Sequence, residues 1–496
     1  MVRRSRLHAR LSRWVPYAAV AVLAFVVRLS PVLHGGGLGS FGRYDDGVYY
    51  AAADSLTFGR VPYRQFVLLH PPGIMLVLAP FALLGRLTSD ATGMTVARLA
   101  FMAIGALNTV LVARLARRWG LAAAVIAATL YAVWQPAVYS EESTLLEPLG
   151  STALLLALLL LLRTDREASR RDQLVAGAVL GAAVTLKIWY VAPWLTICAW
   201  QLLERRPRAA ARLLAAGAAA AAVFVLPFAI PAGTRMYDMA VRDQLLRPVG
   251  SAPRLGRLSS IFGIRGFVVG HSTIGLLTAL VMIVVAVAAL ACMTDRAARL
   301  LVAVLACNLL VLVASPSYFG HYAHLVAAPA ALVLGVGLAR LAMHAHWPHA
   351  VRLVTGLALV VCAYSAARVA TTPQGHPVSG TLLAAAAPPG CVAADSDELL
   401  IEMNRLSADL GAGCRVLVDV SGITYDSLHR VGPNGRSLPR SRNKAWLSYL
   451  YNYLVSAHSF IVIRAPAELT LPVYDALVAH RAIARSDGVV LRAGSP

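Results

Sequence analysis

Apolar stretches long enough to cross a bilayer recur from residue 15 to about residue 370 of this 496-residue chain, and they constrain its fold more than any other feature. Crossing a hydrocarbon core by a helix takes roughly 20 apolar residues. Such runs fall near 15–34, 68–86, 96–116, 120–139, 145–162, 173–187, 189–203, 210–232, 267–293, 299–315, 323–342 and 351–371. Only helices satisfy every backbone N–H and C=O within one such segment. The chain is 58% hydrophobic and 14% charged, where a soluble globular chain carries about 25% charged residues. After residue 371 the runs stop, and short mixed segments with prolines take over. The pattern predicts an all-α polytopic membrane bundle over 1–371 and a small C-terminal α/β domain over 372–496.

The formal net charge of +21 would suit nucleic acid, but its placement points elsewhere. The arginines sit in short clusters between apolar runs, as membrane proteins use them to fix orientation. No zinc pattern or aromatic-rich basic groove accompanies them, so nucleic acid is not an expected partner. Arg3, Arg4, Arg6, Arg10 and Arg13 precede the first run. That run carries Arg28 and leads to Gly35-Gly36-Gly37 instead of a small-residue cleavage site, so it reads as an uncleaved first span with a cytoplasmic N-terminus.

Charge also counts the spans. If all twelve runs crossed, most basic clusters would face outward. If 68–86 does not cross, Arg114/Arg117/Arg118, Arg163/Arg166/Arg170/Arg171, Arg205/Arg206/Arg208, Arg296/Arg299 and Arg340/Arg352 all fall inside. The run 68–86 follows or contains His70-Pro71-Pro72-Gly73, Pro80 and Gly85, which suits an interfacial helix in an outer loop over 35–95. About eleven spans result, with the C-terminal domain extracytoplasmic and the protein in the plasma membrane.

This topology gathers the candidate chemistry on the outer face. Asp45 and Asp46 lie just beyond the first span; adjacent carboxylates serve as a general base, bind a metal or cap a helix. Glu141, Glu142 and Glu147 follow in a later turn, either as a second acidic site or as a solvated loop at a helix start. Lys187 stands at the junction of two runs in a chain whose only other lysine is Lys444. It suits a phosphate oxygen or snorkels to the interface. The loop 233–266 carries Arg235, Arg242, Arg247, Arg254, Arg257 and Arg265, which fit an anionic ligand or lipid head groups. His70, His321 and His324 lie near the same face, without a strict metal-ligand spacing.

Cys391 and Cys414 are the two cysteines of the outer tail, where disulfides form, and they are expected to pair. In the tail, 414–420, 459–463 and 488–492 read as strands, and 445–456 and 471–482 as helices.

Taken in order, Asp45-Asp46, His70-Pro71-Pro72, Glu141-Glu142, Lys187 and the arginines of 233–266 resemble the GT-C superfamily of membrane glycosyltransferases. The likeness is to its lipid-phosphosugar-dependent branch, which includes protein mannosyltransferases and aminoarabinose transferases, and to actinobacterial members that build mannan or arabinan. The resemblance implies a polyprenyl-phosphate-linked sugar donor in the bilayer and an extracytoplasmic glycan, glycolipid or protein acceptor, with inversion at the anomeric carbon. It implies Asp45 or Asp46 as base and Lys187, Arg242, Arg247, Arg254 and Arg257 on the donor phosphate. Glu141, Glu142, Glu147 or His70 would orient the acceptor or assist a metal. A divalent cation (Mg or Mn) is used by some members. Both acidic sites are doubled here, which leaves open which carboxylate acts. A lipid transporter or flippase, or a non-catalytic envelope-assembly protein, also accommodates many spans with intramembrane charges.

Overall fold

The computed structural model describes residues 2–163, 166–247, 254–264, 271–344, 348–433 and 437–495, with only the backbone described for 2–14 and a few further positions; Arg265 lies outside the described residues. Among the described residues the apolar runs read from the sequence are helical over most of their length, the run 120–139 as two helices. In chain order the first ten helices are α1 (Val2–His34), α2 (Tyr44–Thr57), α3 (Gly73–Leu87), α4 (Asp90–Ala116), α5 (Leu121–Val133), α6 (Gln135–Glu141), α7 (Glu147–Leu161), α8 (Arg170–Leu186), α9 (Val191–Leu203) and α10 (Pro207–Ala232). Further long helices are His271–Cys292, Arg296–Ala314, His324–His344 and Pro348–Thr371.

Among the described residues six helices are long and apolar enough to cross a membrane, or seven if α5 and α6 form one span bent by 58°. The bend falls at Trp134, where Pro136 in the first turn of α6 cannot continue the ladder of α5. The eleven expected crossings therefore rest partly on shorter apolar helices, Glu147–Leu161, Ile188–Leu203 and Gly356–Thr371; Gly73–Leu87 is the run expected not to cross.

The chain divides into two units. One comprises Met1–Pro31, Ala100–Ala222 and Ser251–Thr372; the other comprises Val32–Leu99, Val223–Gly250 and Pro373–Pro496. The first is the helical bundle. Among its described residues the helix His324–His344 belongs to the most deeply buried long span, and small residues let its neighbours approach closely. Gly177 and Gly181 of α8 face α10: a Cβ on Gly181 would lie 2.0 Å from the Gly217 carbonyl oxygen. Ser169 and Asp172 close a reciprocal capping box at the start of α8, and Arg166 pairs with Asp172 at 2.6 Å.

The second unit joins α2 and α3 to the C-terminal residues, whose sheet has the order β1-β2-β4-β3. Here β1 (Val392–Ala394) runs parallel to β2 (Ser459–Ile461), and β3 (Ala482–Ser486) and β4 (Val489–Ala493) are antiparallel. Helix Lys444–Val455 covers the sheet through Trp446, Leu450 and Leu454. The helices expected at 445–456 and 471–482 appear as Lys444–Val455 and Leu471–Val478. The strand expected at 414–420 does not form. Val416, Val418 and Val420 are buried, but the segment is extended and then turns without a ladder, its apolar side chains wanted by the core whatever its backbone does. The structure joins Cys391 to Cys414 in a disulfide.

Candidate active site

Asp45 and Asp46 occupy the first turn of α2, where the helix N-terminus favours negative charge. Their surroundings differ sharply. Asp46 is fully buried and accepts from Arg98 Nε at 3.0 Å, while Asp45 is only half-buried. Arg98, also fully buried, fixes the preceding loop through the carbonyls of Leu38 and Ser40. It further faces Glu398 at 3.4 Å and Glu402 at 3.6 Å. One guanidinium thus meets three carboxylates. Burial, reinforced by the charges of Glu398 and Asp46, outweighs Arg98 and pushes Glu402 up to about 7.

The C-terminal residues complete this surround. Glu398 accepts from the backbone N–H of Gly42 at 2.9 Å and of Arg43 at 3.1 Å, so it takes the capping role that Arg43 itself cannot play ahead of α2. Gly47 is required at the contact: a Cβ there would lie 2.6 Å from the Glu398 nitrogen. Tyr44 donates to Asp419 at 3.0 Å and accepts from the Ser421 N–H at 2.8 Å, with the Arg464 guanidinium 5.1 Å from its ring. Burial and then Asp419 hold the Tyr44 phenol well above its usual range, so it remains a donor. Asp397, buried beside Asp419 and Glu398, is likewise held well above the usual carboxylate range, chiefly by burial.

His70 is half-buried in the same unit, its ring edge-on to Tyr49 with centroids 5.6 Å apart, and its carbonyl accepts from Tyr63 at 2.8 Å. The arginines of 233–266 separate. Arg235 pairs with Asp426 at 2.9 Å. Arg242 pairs with Asp238 at 2.8 Å and remains 53% exposed, and Arg247 lies over the Tyr425 ring at 5.1 Å. Arg254 and Arg257 belong to the other unit. Arg254 is exposed, whereas Arg257 is buried and donates to the carbonyls of Ser315 at 2.5 Å and Pro316 at 3.2 Å. Arg257 therefore clamps a turn, a role its place in a basic loop does not suggest.

The bundle carries the second acidic group, and it is no solvated turn: residues 140–144 are all buried. Glu141 closes α6 and pairs with Arg28 of α1, whose Nε donates at 2.7 Å. It also accepts from Asn108 at 2.9 Å and Tyr131 at 2.6 Å, with His324 Nε2 at 3.2 Å. Its lone pairs are fully engaged, which marks it as a tie between helices. Glu142 is buried beside it. Glu147, the first residue of α7, pairs with Lys187, and His321 Nε2 stands 3.9 Å away. Lys187 does not snorkel: it is 4% exposed, with its ammonium 3.6 Å from the Tyr322 ring centroid and 4.7 Å from that of Trp189.

Among the described residues no group of three or more His, Cys, Asp or Glu is placed to hold a metal ion. Asp46 and Glu141 each face an arginine instead, so the residues present do not fit a divalent cation, and no step is assigned to one.

The whole-chain fold has solved counterparts. It is similar to ArnT from Cupriavidus metallidurans in the apo state (16% identity, TM-score 0.62, 98% of this chain and 100% of that chain) and bound to undecaprenyl phosphate (17%, 0.61, 98% and 99%). It is also similar to the oligosaccharyltransferase of Archaeoglobus fulgidus (12%, 0.53, 90% and 68%). No curated protein sequence matches the chain. The chain belongs to glycosyltransferase family 87, whose model matches residues 68–316, half of the sequence. It is a multi-pass membrane glycosyltransferase.

Sequence reasoning missed Arg98, Glu398, Glu402, Tyr44 and Asp419. One signal was Asp395-Ser396-Asp397-Glu398, three acids in four residues. Arg98 lay inside an apolar run, where an ionisable side chain is itself a flag.

Proposed function

We propose that this enzyme moves a sugar from a polyprenyl-phosphate carrier to an extracytoplasmic glycan, glycolipid or protein acceptor at the plasma membrane, with inversion. The observation that carries the reading is the unequal pair at the start of α2: Asp46 is locked to Arg98, and Asp45 is left half-buried. Asp45 takes the proton of the acceptor hydroxyl. The new C–O bond forms at the anomeric carbon as the bond to the carrier phosphate breaks, and the phosphate leaves with the electron pair. Arg242 and Arg247 offer guanidinium forks to that phosphate, and His70 orients the acceptor. Lys187 reaches a phosphate only by exchanging Glu147 for it. Residues 1–371 carry the membrane part and 372–496 the outer part, with the N-terminus cytoplasmic; the apolar spans and their basic connections support this. Mannosyl and arabinofuranosyl carriers are the first donors to supply.

The test is transfer of labelled sugar from polyprenyl-phosphate donors in reconstituted membranes. Transfer by wild type that collapses in Asp45→Asn, with the fold intact, supports the reading. Labelled lipid crossing the bilayer without any transfer overturns it in favour of a flippase.

A further inference from the structure

The bundle contains a groove, far along α4 from Arg98, that the proposed reaction does not use. It has a volume of about 1070 Å³ and lies among α1, α4 and α5. Its origin is legible in the packing. Farther along the same helices, Ala24 of α1 meets Ala106 and Ala132, and small side chains there let the three helices close. Below that crossing Ala113, Ala124 and Ala128 line the groove with small side chains. Val20, Leu23 and Leu121 form the sides, and Leu23 and Leu121 are 41% and 60% exposed. The hydroxyl of Thr129 donates within its own helix to Val125 at 2.7 Å, which leaves the wall apolar.

At one end the chemistry changes. Arg114 and Arg117, in and just after the last turn of α4, line the groove and are exposed. Their neighbour Arg118 is committed to the carbonyls of Leu162 and Arg163, at 3.0 Å each, whereas Arg117 makes no ion pair among the described residues. Two guanidinium groups at the mouth of an apolar trough complement a molecule with an anionic head and a hydrocarbon tail.

We propose that this groove binds one anionic phospholipid of the surrounding leaflet, its phosphate on Arg114 and Arg117 and an acyl chain along α5. The length of the trough selects that occupant. From Leu121 to Thr129 the helix rises about 12 Å, less than half of the roughly 30 Å hydrocarbon core. That accommodates a chain confined to one leaflet and is too short for a long isoprenoid tail, which the alanine crossing would block.

Native mass spectrometry of the full-length protein in detergent tests this, with dioleoylphosphatidylglycerol, dioleoylphosphatidylcholine and undecaprenyl phosphate added separately and in competition. We expect one phosphatidylglycerol to be retained in preference to phosphatidylcholine by about tenfold, given two arginines near the surface. Arg114→Gln with Arg117→Gln removes the preference. Ala19→Trp, on an exposed position that lines the groove, displaces the lipid without touching the core. Equal retention of the two phospholipids, a preference unchanged in the double variant, or stronger retention of undecaprenyl phosphate that Ala19→Trp abolishes would each overturn the proposal. The measurement needs no sugar transfer, so its failure leaves the proposed reaction untouched.

Discussion

Arg98 donates to Asp46 at 3.0 Å with both side chains wholly buried, and that single contact makes two adjacent aspartates unequal. Asp45→Asn is expected to lower transfer by about 10²- to 10⁴-fold, the usual worth of a general base, with little change in melting temperature. Asp46→Asn is expected to act chiefly on the fold. Transfer rates and thermal unfolding measured on both variants decide the matter; equal losses of activity at equal stability would remove the distinction.

Breaking a buried ion pair from one side costs about 3–5 kcal/mol, because the other charge is stranded. Arg28→Ala should therefore destabilise the bundle strongly, through Glu141. Replacing both partners, Arg28→Met with Glu141→Leu, should recover much of the loss. Melting temperatures of the wild type and the two variants in one detergent check this.

Lys187→Ala and Glu147→Gln separate two roles. If the pair is an internal tie, both variants melt lower and the Michaelis constant for donor is unchanged. If Lys187 exchanges Glu147 for the carrier phosphate, Lys187→Ala raises that constant while Glu147→Gln lowers it. Donor titrations at fixed acceptor distinguish them.

Glu402 gives a pH dependence whose sign is fixed. Its carboxyl is raised from an ordinary 4.5 to about 7, so the folded protein holds this proton more tightly than the unfolded chain. The stabilisation is complete below about pH 4.5 and is lost as pH rises through about 7. Melting temperature should fall across that window, and Glu402→Gln should flatten its share of the slope.

Reduction of the Cys391–Cys414 disulfide, which closes a loop with a sequence separation of 23, should destabilise the C-terminal residues by about 3 kcal/mol. Thiol labelling after mild reduction, with thermal unfolding in parallel, reads the effect.

The helices were written largely in local sequence: among the described residues the apolar runs became helices, the run 120–139 as two, because a bilayer-crossing segment satisfies its backbone from within, whatever its neighbours. The same locality exposed Asp45 and Asp46 as a pair, and Cys391 and Cys414 of the C-terminal segment as partners. Sequence could not say how the two aspartates differ, since that depends on Arg98, 52 residues from Asp46, and on Glu398, some 300 residues beyond that. Nor could it show that Glu141 ties α6 to α1, or that Lys187 is closed in by Glu147, Tyr322 and Trp189. A carboxylate's role is set by the charges and donors that surround it, and in this chain those arrive from distant segments that only the folded packing brings together.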